Sequence, residues 1–447
     1  MRGLKGFFRR NIILLIALAL LFLTGCLRVS ADDLYSLPQV SEEYLRLTAQ
    51  INIILSGGAE FSPPTSGQNR QAVQQKDLSG NGTNEVIAFF AIPSENALII
   101  YIFEMIDGDY SVVEVIEGVG NAFESVRYTD MDGDGELEII IGWQMGAALK
   151  YFSIYSIKEF RAVLLAREEY SELAVNDITG DGNDDVIAFR LPSPETGAVA
   201  SLYTIMPDGE VVNYVARLSV GIDALARIQT GKLFDGVSAV FVESEGRYDE
   251  GTIVTDILAI QDGVLSNISL APTSGISEDT VRTRNIYSTD INKDGVMKVP
   301  VPRLLKAQSE TQYYVIDWYS YSSDGDVQLG LTTYHNSFDE WFLILPLNWR
   351  GRVSVRRENY VSGERTVIFS FIAGEDGPYE DFLKVYRLTR DLGEERANLA
   401  GKVFLTSEGS STFAFELLAP PNSFGLDYDE NLIKENFRLI YSDWYAG

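Results

Sequence analysis

The chain has 447 residues, 46% of them hydrophobic and 11% aromatic, enough for a sizeable core and for two or three domains. Its 64 acidic and 36 basic residues leave a net charge of −28, which excludes nucleic acid and anionic headgroups as partners of the surface as a whole. With one cysteine and one histidine, there is no disulfide framework, no thiolate or imidazole metal cage and no repeated Ser–His–Asp arrangement; a single triad built on His335 stays open.

The N-terminus opens with a positive segment, Arg2, Lys5, Arg9 and Arg10, followed by an unbroken apolar run over residues 12–23. That run is too short to span a bilayer comfortably and has the form of a targeting segment. It ends in Leu23-Thr24-Gly25-Cys26. Small residues before the only cysteine resemble the lipobox of bacterial lipoproteins. The resemblance implies a signal peptide over residues 1–25, a diacylglycerol on Cys26, and a body held by lipid on the extracytoplasmic face of the cell membrane. The alternative is an ordinary signal peptide with a chance cysteine. Removing residues 1–25 takes four of the 36 basic residues and leaves 32 against 64 acidic ones. Calcium is the natural partner of such a surplus of carboxylates outside the cell. Residues 26–40 are the lipidated cysteine and a tether.

Residues 41–70 hold a helix and a loop. The spacing of SEEYLRLTAQINIIL predicts a helix over 41–55, with Ser41 as cap and Glu42 and Glu43 in the first turn. Gly57 and Gly58 stop it.

From residue 71 the chain repeats. DLSGNGTNEVIAFF starts at Asp77, DMDGDGELEIIIGW at Asp130, DITGDGNDDVIAFR at Asp177 and DINKDGVMKVPVP at Asp290. Between the last two, IQTGKLFDGVSAVFV starts at Ile228 and keeps the glycine and the β-run. Each unit carries a second turn signal, at Asp107-Gly108, Lys158-Glu159, Asp208-Gly209, Asp262-Gly263 and Asp324-Gly325. Units of about fifty residues with about four short strands suit β-propeller blades. Five units are visible over 71–333, and up to seven blades are compatible with the flanking segments.

In the best loop Asp130, Asp132 and Asp134 present hard oxygen ligands at positions 1, 3 and 5, and Gly135 permits the sharp turn. An EF-hand needs a glutamate at position 12 and then a helix; position 12 here is Ile141, and the closing acid falls at position 9. The residues after that acid read as a buried strand. This is a calcium loop of another kind. It resembles the FG-GAP (VCBS-type) repeats, the calcium-loop propeller blades also found in integrin α-subunits. The resemblance covers about residues 71–310 and implies three calcium loops. Their ligands are Asp77, Ser79, Asn81 and Glu85; Asp130, Asp132, Asp134 and Glu138; and Asp177, Thr179, Asp181 and Asp185. In the fourth unit Ile228 and Lys232 take ligand positions, which implies no ion. In the fifth, Asp290, Asn292 and Asp294 are followed by Lys298 in place of the closing acid, a built-in neutraliser. About three ions are expected, in a structural role.

Beyond residue 333 the repeat stops. Residues 341–349, 352–357, 366–372, 382–388, 403–405 and 412–418 read as strands and 431–442 as a closing helix, a separate α+β domain over 334–447. Tyr313, Tyr314, Trp318, Tyr319 and Trp341 are candidates for stacking on sugar rings, or core residues at strand alternation. No phosphate-cradling loop, nucleotide fingerprint or catalytic set stands out. The leading expectation is a membrane-anchored binding or scaffold module for an envelope protein or glycan. The alternative is an extracytoplasmic polysaccharide lyase or hydrolase on a propeller scaffold, marked by a deep cleft of converging acids and tyrosines.

Overall fold

The structure is a computed structural model that describes residues 42–441, except 119, 195, 207–208, 247–250, 307, 309, 359–362, 375–376, 390–392 and 400. The expected lipobox with Cys26, the expected tether and Ser41 cap, and Asp208 of the expected third turn lie outside the described residues.

Helix α1 (Glu42–Ser56) forms where its spacing predicts and buries Leu47 and Ile51, one turn apart, against Val86, Ala88, Phe90, Phe103 and Tyr110. The first sheet contains β1 (Glu60–Phe61), β2 (Val73–Lys76), β3 (Glu85–Ile92), β4 (Ala97–Ile106) and β5 (Asp109–Glu117). Its first two strands lie end to end along β3, with Phe61 opposite Phe90 and Val73 opposite Ala88.

The next three sheets are antiparallel meanders of four strands. The second is β6 (Ala122–Thr129), β7 (Glu138–Gln144), β8 (Lys150–Lys158) and β9 (Arg161–Tyr170). The third is β10 (Glu172–Asn176), β11 (Asp185–Arg190), β12 (Val199–Ile205) and β13 (Val211–Arg217), and the fourth β14 (Ile222–Lys232), β15 (Ser238–Gly246), β16 (Ile253–Gln261) and β17 (Val264–Asn267).

Strands β3, β7, β11 and β15 carry apolar runs because both their faces are buried. Ile87 and Phe89 of β3 share a core with Ile139, Ile141 and Trp143 of β7. Ile140, on the other face of β7, joins Val186 and Ala188 of β11. Ile187 and Phe189 join Val240 and Val242 of β15. Ala239 and Phe241 then pack on Val299 and Tyr321 of the fifth sheet. The sheets therefore stack face to face in chain order.

Three described hairpins turn through residue pairs with positive φ, which suits two-residue turns between twisted strands. These are Asp107-Gly108, Glu159-Phe160 and Asp262-Gly263. The second is displaced by one residue from the expected Lys158-Glu159, because Lys158 still pairs with Arg161.

The C-terminal third departs from expectation. The fifth sheet contains β18 (Val299–Leu304), β19 (Tyr314–Tyr321), β20 (Val327–Asn336) and β21 (Trp341–Leu345). A boundary at 333/334 falls inside β20, so the chain does not divide there. Strand β21 stops at Pro346, which leads into a turn of 3-10 helix at Leu347–Trp349. The sixth sheet comes next: β22 (Val353–Glu358), β23 (Glu364–Ile372), β24 (Tyr379–Thr389), β25 (Val403–Glu408) and β26 (Ser411–Leu417), in the order β22-β23-β24-β26-β25. Its core is shared with Val315, Tyr334, Trp341 and Leu343 of the fifth sheet. Besides α1, the described α-helices are α2 (Gly393–Ala397), between β24 and β25, and α3 (Glu430–Asn436). Helix α3 is capped by Asp429, whose side chain accepts from Leu432 N at 2.8 Å. The helix expected to reach 442 ends at Asn436. Beyond it β27 (Phe437–Leu439) pairs with β21, because Phe437 packs on Trp341 and Phe413.

The protein is thus mainly β, built from antiparallel sheets. Among the described residues no helix is long and apolar enough to cross a membrane.

Candidate metal centre

Each acidic loop joins an edge strand of its sheet to the neighbouring inner strand: residues 77–84 between β2 and β3, 130–137 between β6 and β7, and 177–184 between β10 and β11. The first-position aspartate folds the loop by accepting backbone N–H groups. Asp77 accepts from Asn81 N (3.1 Å) and Gly82 N (2.9 Å), Asp130 from Gly133 N (2.6 Å) and Gly135 N (3.0 Å), and Asp177 from Gly180 N (2.6 Å) and Gly182 N (3.1 Å). The glycines at these turns have positive φ, which explains their recurrence.

The closing acid opens the second strand and points back into the loop. Glu85 accepts from Leu78 N at 2.7 Å and Ser79 Oγ at 3.0 Å. Glu138 accepts from Met131 N at 2.8 Å, and Asp185 from Ile178 N and Thr179 N, both at 2.8 Å. All three closing acids are 1% exposed. Burial pushes the Glu138 carboxyl up to about 7, with the charges of Asp132 and Asp134 adding to it, and burial also raises Asp185.

In the second loop oxygens of Asp130, Asp132 and Glu138 all lie within 4.8 Å of one another, a donor set of the hard-oxygen kind. Asp134 is outside this group, and its Oδ1 accepts from Glu136 N at 2.8 Å. Lys158, at the end of β8, reaches over the loop to within 3.4 Å of Asp132 and 3.3 Å of Asp134. Its sequence position gave no sign of this, since only the hairpin brings it there. In the first loop Asn81 Oδ1 is occupied by Thr83 N at 2.7 Å, and in the third Asp181 accepts from Asn183 N at 2.8 Å. In that third loop the hydroxyls of Thr179 and Thr204 lie against the buried Asp185 carboxyl, an all-oxygen cluster of the kind a hard cation takes.

The fourth and fifth units differ. Ile228 lies within β14, and the loop is cut to Leu233–Val237. Lys232 stands at the first position rather than the fifth: Met297 N donates to Lys232 O at 2.9 Å, as Asp184 N donates to Asp130 O at 3.4 Å. In the fifth unit Asp290 accepts from Asp294 N (3.0 Å) and Gly295 N (2.8 Å). Lys298 is 2% exposed, and its Nζ bonds Asn292 Oδ1, Asp294 Oδ1 and Val296 O at 2.8, 2.7 and 3.0 Å.

The loops also touch one another. Leu137 N donates to Leu78 O at 2.8 Å, joining loops one and two, and Thr129 Oγ1 bonds Asp184, joining two and three. A Cβ on Gly80 would overlap the Gly135 carbonyl oxygen, and one on Gly133 would press on Asn183. Sequence reading identified the loops and missed that they form one continuous row.

The remaining candidates divide. Trp318 and Trp341 are core residues. His335 lies over Phe342, ring centroids 5.0 Å apart and planes 8° apart, and bonds Thr333 Oγ1 at 2.7 Å; burial pushes it down to about 3, so it is neutral. Tyr313 and Tyr314 line a cavity of about 260 Å³ together with Tyr334, Arg284 and Arg357.

No protein-family model matches the chain, and no curated protein matches it. Among solved structures, that of the exotype rhamnogalacturonan lyase YesX is similar at 10% identity, covering 72% of this chain and 74% of that one, with a TM-score of 0.28. A likeness of that degree carries no functional argument.

Proposed function

We propose that the chain is a calcium-binding repeat protein of the FG-GAP type, anchored outside the cell membrane through a lipid on Cys26. It serves as a binding or scaffold module for an envelope protein or glycan. The stacked sheets are read as the blades of a propeller, since blades pack face to face in chain order and each presents its first loop at the same end. The observation that carries the reading is the row of three loops in which a buried closing acid faces a first-position aspartate across the same turn.

The residues fit the ion. Asp130, Asp132 and Glu138 would hold it in the second loop, Asp177, Thr179 and Asp185 in the third, and Asp77, Ser79 and Glu85 in the first. Calcium there supplies the positive charge that these carboxylates lack. Lys298 supplies it internally in the fifth loop, which is therefore read as metal-free. The lipobox, acidic surface and absence of a recognised catalytic set support a displayed module over an enzyme. Thermal unfolding with calcium and with a chelator tests the structural role: a marked loss of stability on chelation is expected, and identical curves contradict it.

A further inference from the structure

The cavity of about 260 Å³ near the junction of the fifth and sixth sheets runs against the charge of the whole molecule. Among the described residues its lining includes Arg284, Arg357, His335 and three tyrosines and no aspartate or glutamate, in a chain with 64 acids. Each arginine lies over a tyrosine ring. Arg284 Cζ is 4.0 Å from the Tyr314 centroid and Arg357 Cζ 5.6 Å from that of Tyr313, and Arg357 Nε donates to Tyr334 Oη at 3.4 Å. Among the described residues neither arginine pairs with a carboxylate, whereas Arg282, Arg303, Arg350 and Arg356 all do. A guanidinium over an aromatic ring and without a carboxylate partner keeps N–H groups for a planar two-oxygen acceptor, the terminal nitrogens in the case of Arg357. Thr311, Gln312 and Ser337 add hydroxyl and amide groups at the wall. The volume lies just below the lower end of small-molecule sites, roughly 300–1,000 Å³, which suits a ring or two.

We infer that this cavity binds the carboxylated ring of an acidic glycan: the arginines take the carboxylate and the polar wall takes ring hydroxyls. The inference deepens the binding-module reading and rests on it.

The test is a titration of the full chain in detergent, followed by calorimetry and aromatic fluorescence. The probes are a galacturonate trimer, a neutral trimer of the same linkage, and inorganic phosphate. The acidic trimer is expected to bind at least about tenfold tighter than the other two, and Arg284→Gln or Arg357→Gln to weaken it by about tenfold each, as loss of a charge-assisted bond requires. Arg357→Lys, which keeps charge and loses the fork, is expected to recover only part of that loss. Unchanged melting and calcium binding in the variants separate a local loss from misfolding. Equal binding of the neutral trimer, phosphate as tight as the acidic trimer, or full affinity in both glutamine variants overturns the assignment. No binding with the calcium loops still filled overturns it alone, and no binding with no calcium uptake overturns the underlying reading as well.

Discussion

Lys298 Nζ sits 2.7 Å from Asp294 Oδ1, inside a loop whose counterparts close with Glu85, Glu138 and Asp185. One unit thus carries its cation covalently. Burial alone would raise Asp294, but the hydrogen bonds from Lys298 and Asn292 and the lysine charge hold it at about 2. Lys298→Glu recreates the closing acid. It is expected to lower the melting temperature in chelator, where the new carboxylate repels Asp290 and Asp294, and to add one calcium ion per chain in a calorimetric titration.

The contact between Gly80 and Gly135 gives a second prediction. Gly80→Ala incurs the left-handed backbone cost of about 1–2 kcal/mol and also pushes loop one off loop two. Gly82→Ala, where φ is +86° and nothing lies within 4 Å of the new carbon, incurs the backbone cost alone. Denaturant unfolding should therefore show Gly80→Ala as the more destabilised, and only Gly80→Ala should weaken calcium binding in both loops.

Within the fourth and fifth units Arg282 and Glu243 form an ion pair at 3.3 Å with both side chains fully buried. Desolvation drags Arg282 down to about 10 and raises Glu243 despite their mutual attraction. Arg282→Leu strands the carboxyl and should cost about 3–5 kcal/mol, while the double variant with Glu243→Leu should cost much less. Equilibrium unfolding of the single and double variants measures the difference.

His335 makes acid stability measurable. Its folded value, about 3, lies below its ordinary 6.5, so the unfolded chain binds the extra proton. Its contribution is complete above pH 6.5 and is lost as pH falls from 6.5 towards 3. His335→Gln should be less stable than the native chain at about pH 7.5, with the gap narrowing as pH falls through that window.

How much of this the sequence shows depends on how local each feature is. The loops and the strands after them are legible because ligand spacing, glycine placement and burial on both faces act within a dozen residues. Chain order also gives the stacking, as each repeat packs on the next. The C-terminal segment was hidden by distance: β27 pairs with β21 across almost a hundred residues, and its short Phe437-Arg438-Leu439 alternation continues a helical pattern. The 233–237 loop has lost the acids that mark the other loops, and it is placed by backbone pairing instead: Lys232 opposite Ser238, and Met297 N on Lys232 O. Arg284 and Arg357 belong to different sheets' surroundings, and no spacing announces that they share a cavity.

Calcium binding by the row of loops is tested by calorimetric titration of the chelator-treated chain beside an Asp132→Asn variant. Three ions are expected per native chain, and two with Asp132→Asn, because Asp132 belongs to the converging set of the second loop. No calcium uptake by the native chain, or uptake unchanged by Asp132→Asn, would contradict calcium binding in these loops.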